Sequence, residues 1–157
     1  MQSSKEVLST LNAVLTTELT SINRYFLHAR MFKNWGFERL DEHAYKKSIK
    51  DMKQADALIE RILMLEGLPN LQKLGSLLIG ENAEEMTACD MKFQLGEVEQ
   101  LKHSIALCES EKDYVSRAIL SDILEYEEAY VDWLEAQQHQ MTHLGLPNYL
   151  QSQIEEG

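Results

Sequence analysis

Apolar residues recur along this chain at three- and four-residue spacing in four long segments, the period of helices with one buried face. Cap and breaker residues bound these helices at about 5–34, 39–65, 83–111 and 114–143. Both prolines lie in the same tetrapeptide, GLPN, at residues 67–70 and 145–148. Each copy is expected to end a helix with a glycine cap and a proline stop. The stretch LQKLGSLLIGENAEE is too long for a hairpin turn and predicts a crossover along a bundle; the other two connections are short and join antiparallel neighbours. NYLQSQIEEG leaves room for a short fifth helix at about 147–154. Its Tyr149, Leu150 and Ile154 are expected to meet other subunits, an ordinary docked tail being the alternative. The expectation is thus a single all-α domain over residues 1–157, a four-helix bundle with one long crossover and a short C-terminal helix.

The apolar stripes carry polar residues where a core should be dry. The first runs Leu11, Leu15, Glu18, Ile22, Tyr25, Ala29, Phe32, and the second Ala44, Ser48, Asp51, Ala55, Leu58, Ile62, Leu65 with Gln54 beside it. The third is Met91, Gln94, Val98, Leu101, Ile105, Cys108, and the fourth Leu120, Ile123, Glu127, Tyr130, Leu134, Met141. Glu18 and Asp51 are 33 residues apart, as are Gln94 and Glu127; 18 to 94 and 51 to 127 both span 76. Two helix pairs of equal offset put these four positions at one level of a bundle. That is the layout of carboxylate-bridged di-iron bundles, in which two helices each give a Glu and two each give Glu-x-x-His. The two i, i+3 slots here read Asp51-Met-Lys-Gln54 and Glu127-Glu-Ala-Tyr130.

Ligand count argues against two tightly held irons. Three carboxylates remain, one shortened to Asp, and no imidazole stands at the six positions; carboxamides and a neutral phenol are poor replacements. One reading is a hydrogen-bonded polar cluster in which Gln54, Gln94 and Tyr130 donate to Glu18, Asp51 and Glu127. The other is a single weakly held metal on the three carboxylates. Without metal they repel one another, so one is expected to keep a proton or to pair with Lys47 or Lys50.

A second stripe, Tyr45, Ile49, Met52, Ile59 and Leu63, runs along another face of the second helix, and Leu19, Ile22, Asn23 and Phe26 make a similar face on the first. A helix apolar on two sides is covered on both. From the residues alone, a plain dimer contact with Met52 as filler is the simplest account.

A net charge of −11 at pH 7 disfavours nucleic acid and anionic membranes and suits metal cations or basic partners. The start, MQSSKEVLST, lacks an apolar signal core and no run reaches membrane length, so a cytoplasmic chain is expected. Cys89 and Cys108 on one helix would stand roughly 28 Å apart, beyond disulfide reach, and are read as buried reduced thiols.

The segments YFLHARMFKNWG, IERILMLEGLPNLQKLG, DYVSR, VDWLE and GLPNYLQ make the chain resemble a bacterioferritin over essentially its whole length. The resemblance implies a ferritin-like bundle, assembly into a hollow 24-subunit shell around a mineral store, and a b-type haem at each two-fold dimer interface held by one methionine from each partner. Met52 matches that methionine, with Leu19, Ile22, Asn23, Phe26, Tyr45 and Ile49 matching the haem pocket. Of the family's ferroxidase ligands Glu18 and Glu127 match and Asp51 is a shortened match, while Gln54, Gln94 and Tyr130 depart. Tyr25 and Trp133 match aromatic positions near that site. Asn34, Glu66 and Asp132 match an iron-entry pore in which His139 departs from an acidic residue. Lys46 and Lys50 replace inner-surface iron-binding positions with cations.

The resulting expectation is a haem-binding subunit whose own di-iron site is impaired, serving iron storage and release and co-assembling with a ferroxidase-competent subunit. Two alternatives stand beside it: a conventional homopolymer with ferroxidase activity at an altered centre, and a haem-bearing docking subunit for a ferredoxin or reductase.

Overall fold

The computed structural model describes residues 4–154. Five helices follow one another, α1 Lys5–Trp35, α2 Glu38–Met64, α3 Ala83–Ser110, α4 Tyr114–Leu144 and α5 Leu146–Ser152. α1 packs on α2 and α3 on α4, and the two pairs close on each other through α1 and α3 and, more lightly, α2 and α4. Ser4, Asn82 and Asp113 accept from Val7, Glu85 and Ser116 at the starts of α1, α3 and α4, satisfying amides that have no partner within the helix. α1 ends at Gly36, whose φ of 85° suits glycine, and Gly36 and Phe37 donate back to Lys33 and Phe32. Among the described residues no helix is long and apolar enough to cross a membrane.

The core is split by the polar level. Below it lie Val7, Leu11, Leu15, Leu58, Ile62, Leu101, Cys108 and Leu120. Above it lie Ala29, Phe32, Leu40, Ala44, Met86 and Met141.

The crossover follows α1 for most of its length. Asn12 donates to Leu68 O at 3.2 Å and accepts from Asn70 N at 2.9 Å, and Thr20 Oγ1 accepts from Gly75 N at 2.9 Å. Arg24 reaches Leu77 O and Leu78 O at 2.8 and 3.0 Å, and His28 Nε2 accepts from Gly80 N at 3.3 Å. Arg24 and His28 also meet Asp90 of α3 at 2.7 and 3.0 Å, so one buried carboxylate ties α1, α3 and the crossover together.

Four expectations need correction. At the first GLPN the left-handed residue is Glu66 (φ 63°), while Gly67 is a close-approach glycine: a Cβ there would stand 2.6 Å from Leu8 Cδ2. At the second GLPN, Pro147 sits in the first turn of α5, where its missing N–H costs nothing, so it opens a helix. The tail docks on its own chain: Tyr149 is fully buried, its hydroxyl 2.6 Å from Gln137 Oε1, Leu150 packs on the upper core, and Arg39 N donates to Gln153 O. Ile154 stays exposed. Cys89 is only half-buried; both cysteines are free thiols.

Candidate metal centre and the outer face of α2

At the polar level α1 contributes Glu18, α2 Asp51 and Gln54, α3 Gln94, and α4 Glu127 and Tyr130; all six are buried. The structure therefore brings the six positions together. It also places inside the cluster Lys47, one of the two lysines expected as a partner, and Glu97, which the sequence reading did not include, at 1% and 2% exposure.

Lys47 lies one turn before Asp51 and turns inward. Its Nζ is 2.5 Å from Asp51 Oδ1 and 3.0 Å from Glu127 Oε2. The rings of Tyr25, Tyr130 and Tyr126 surround it with centroids at 4.9, 5.1 and 5.3 Å, a cation–π enclosure. Burial opposes its charge, but Asp51, Glu127, Glu97 and Glu18 outweigh burial and hold the ammonium well above the ordinary lysine range. Lys50 stays on the surface, its Nζ 5.2 Å from the Tyr126 ring.

The amides fill the remaining space. Gln54 Nε2 donates to Glu18 Oε2 at 2.9 Å and Glu127 Oε1 at 3.0 Å, with Asp51 Oδ1 at 3.4 Å. Gln94 Nε2 donates to Glu127 Oε2 at 2.5 Å and its Oε1 accepts from Tyr25 at 2.9 Å. Ser21 donates to Asp51 Oδ2. Tyr130 joins differently from the donor role expected: among the described residues its contribution is the ring, set edge-on to Tyr25 at 5.5 Å and facing Lys47.

Glu97 stands one turn after Gln94, at the same i, i+3 spacing as the two slots on α2 and α4. Choosing Val98 for the core stripe hid it, although Asp90, Gln94, Glu97, Leu101, Ser104 and Cys108 form the continuous buried line of α3. One oxygen each of Glu18, Glu97 and Glu127 lies within 4.8 Å of the others. Both Glu97 oxygens and Glu18 Oε1 are buried with no donor from any other side chain, and the two carboxyls hydrogen-bond each other, which requires one of them to keep a proton. Burial, then Glu97, pushes the Glu18 carboxyl well above the ordinary range; burial, then Glu127, pushes Glu97 up to about 7.

Two irons do not fit this arrangement. An ammonium and a carboxamide N–H₂ stand among the carboxylates that bridging metals require, and no imidazole is present in the cluster. Among the described residues, the acidic oxygens that find a partner only in another carboxyl lie on the Glu18–Glu97 side.

Met52 points the other way. One residue from Asp51, it is 53% exposed on the outer face of α2, with Phe26, Tyr45 and Asn23 also exposed and Leu19, Ile22 and Ile49 half-buried. The Phe26 and Tyr45 rings lie 6.5 Å apart, and Arg30 stands over both at 5.0 and 5.5 Å. This face thus presents a soft sulfur, two aromatic rings and one cation.

Of the remaining positions, Tyr25 is in the cluster, while Asn34, Asp132, His139, Lys46 and Glu66 lie on the surface. Trp133 is half-buried and stacks on His43, centroids 3.5 Å apart.

A bundle with a carboxylate level and a long crossover defines the ferritin-like class, and residues 8–144 match the ferritin-like domain family. Within that class the chain belongs to the bacterioferritins: it is 42% identical to a bacterioferritin of Mycobacterium avium over 149 residues, 95% of this chain and 94% of the relative. It is also 41% identical to a bacterial ferritin of Pseudomonas aeruginosa over 155 residues, 98% and 100% of the two chains. A bacterioferritin of Brucella melitensis is 36% identical over 149 residues.

Proposed function

We propose that this chain is an iron-storage subunit of a bacterioferritin shell that carries haem b at its dimer interface and has given up two-iron ferroxidase chemistry. Membership of the family supports storage within a closed oligomer. The observation that carries the rest is the division of one helix: Lys47 and Gln54 occupy the carboxylates on the inner side of α2, while Met52 offers an exposed thioether on the outer side. Met52 would hold the haem from each of two partners, with Leu19, Ile22, Asn23, Phe26, Tyr45 and Ile49 lining the contact. Bound there, haem supplies one-electron transfer, and thioether ligation raises its potential, which suits passing electrons inward to reduce stored ferric iron. Rapid iron oxidation falls to a second, ferroxidase-competent subunit in a mixed shell, and a ferredoxin or reductase supplies the electrons for release.

Stopped-flow oxidation of Fe²⁺ by the purified homopolymer is expected to be slow, and co-assembly with a sister chain bearing Glu-x-x-His at both slots to restore the fast phase. Fast oxidation of two irons per subunit by the homopolymer defeats this reading in favour of a conventional ferroxidase. Haem-loaded Met52→Leu is expected to lose the bis-thioether absorption spectrum; an unchanged spectrum removes Met52 as ligand.

A further inference from the structure

We infer that His139 and His143 form a metal site, apart from the polar level, on the face of α4 turned away from the core, and that it takes a borderline transition-metal ion, Cu²⁺ foremost, in preference to iron. The two histidines lie four residues apart in the last turns of α4, so their side chains rise on one face. Both are exposed, and their rings meet edge to face with centroids 3.9 Å apart. Among the described residues neither imidazole hydrogen-bonds or pairs with another group. By contrast, His28 is bound to Asp90 and Gly80, and His43 lies flat on Trp133. A neutral imidazole offers one nitrogen lone pair. Rings already in contact can bring both lone pairs to the roughly 2.0–2.1 Å of a metal–nitrogen bond by side-chain rotation alone. The i, i+4 histidine pair is the spacing by which a single helix holds a transition metal.

The surrounding charge favours a cation. After Arg117, α4 carries no Lys or Arg, while Asp122, Glu125, Glu128, Asp132 and Glu135 are exposed along it. The helix ends at Leu144, so the carbonyl ends of its last turn add partial negative charge beside the pair. Glu135 stands one turn before His139, the spacing from which a carboxylate can accept the remaining ring N–H and fix its tautomer. Ligand type then decides the ion. Two imidazoles completed by water suit Cu²⁺, Ni²⁺ and Zn²⁺, with Cu²⁺ held most tightly, whereas Mg²⁺, Ca²⁺ and Mn²⁺ prefer oxygen and Fe²⁺ stands low in the same order. The pair thus holds ions that compete with iron at a place separate from the carboxylates.

Cu²⁺ is the probe, added at up to one equivalent per subunit to intact iron-free shells. Titration calorimetry gives the affinity, and the nitrogen splitting in the electron paramagnetic resonance of bound Cu²⁺ counts its imidazoles. The wild type is expected to bind one Cu²⁺ per subunit through two nitrogens. His139→Gln and His143→Gln should each lose one nitrogen and weaken binding about tenfold or more, since the second imidazole acts at high effective concentration. A third variant combines Gln138→His with His139→Gln. It keeps the composition but sets the rings about 140° apart around the helix, and it should lose the two-nitrogen signal as well. All these positions lie away from the core stripe, and shell size and circular dichroism verify assembly. In a Cu²⁺-soaked wild-type crystal, an anomalous difference map is expected to show a peak between the two rings. Retention of affinity and of both nitrogens by the exchanged variant, or no peak at the pair, overturns the inference.

Discussion

His43 lies flat on Trp133, the planes within 9° of parallel, with Nδ1 buried and no hydrogen-bond partner. Burial, then the Lys46 charge, pulls its imidazole from the ordinary 6.5 down to about 4; Lys47 adds to this and Asp90 opposes it. Between those two values the unfolded chain binds the proton and the folded chain does not, so stability rises with pH across the window and is lost as pH falls from about 6.5 to about 4. The raised Glu18, Asp51 and Glu97 act in the opposite sense, so the prediction is a difference: the thermal midpoint of His43→Phe, which keeps the stack without the proton, should gain on that of the wild type as pH falls from about 6.5 to about 4. An unaltered slope in the variant would assign the acid sensitivity to other groups. The single-residue scale also marks where the sequence stopped being legible. Glu18, Asp51 and Glu127 were readable because each interrupts an otherwise apolar stripe. Glu97 was not, because Val98 beside it satisfies the same stripe, and a pattern built from apolar residues passes over a polar neighbour that turns inward. Lys47 was foreseen as a possible partner of a carboxylate, but charge alone could not distinguish it from Lys50.

Element boundaries followed from period and breakers, and all four long helices end within a few residues of where the sequence put them. The hidden feature at this scale is the polar face of α1. Thr20, Arg24 and His28 stand at four-residue intervals and are buried, yet a polar stripe normally reads as the solvent side. What covers them is backbone from the crossover, whose path leaves no trace in hydrophobic periodicity. Arg24 carries most of this contact, with Asp90 at 2.7 Å and two crossover carbonyls on one guanidinium. Arg24→Met should cost about 3–5 kcal/mol, since it leaves the buried Asp90 without its guanidinium and facing only His28. It should also open residues 66–82 to limited proteolysis; a protease-resistant crossover in the variant would mean that Asn12, Thr20 and His28 suffice to hold it.

Across the whole molecule, the upper core is closed by the chain's own end. Tyr149 fills the space among Ala29, Phe32, Leu40, Met86 and Met141 and bonds Gln137, so α5 serves the subunit before it serves any contact between subunits. Tyr149→Ala should therefore destabilise the subunit by about 3–5 kcal/mol for loss of a buried aromatic, read as a lower thermal midpoint even where the shell has been dissociated. A loss seen only in assembled shells would return the tail to the subunit interface. The same scale explains how one helix supports two unlike surfaces: successive residues on α2 turn by about 100°, so Asp51 and Met52 need share no environment.

The crossover is held to α1 almost entirely by main-chain atoms on its own side: Leu68 O, Asn70 N, Gly75 N, Leu77 O, Leu78 O and Gly80 N. Its side chains Leu68, Leu71 and Leu74 meanwhile project into solvent, at 85%, 57% and 48% exposure. Anchorage and decoration are thereby separated at these three positions, whereas Gly80, where a Cβ would stand 2.5 Å from Met86 N, is fixed by close packing. Substitutions at those three leucines should leave the subunit's stability within about 0.5 kcal/mol, making these positions natural attachment points for labels.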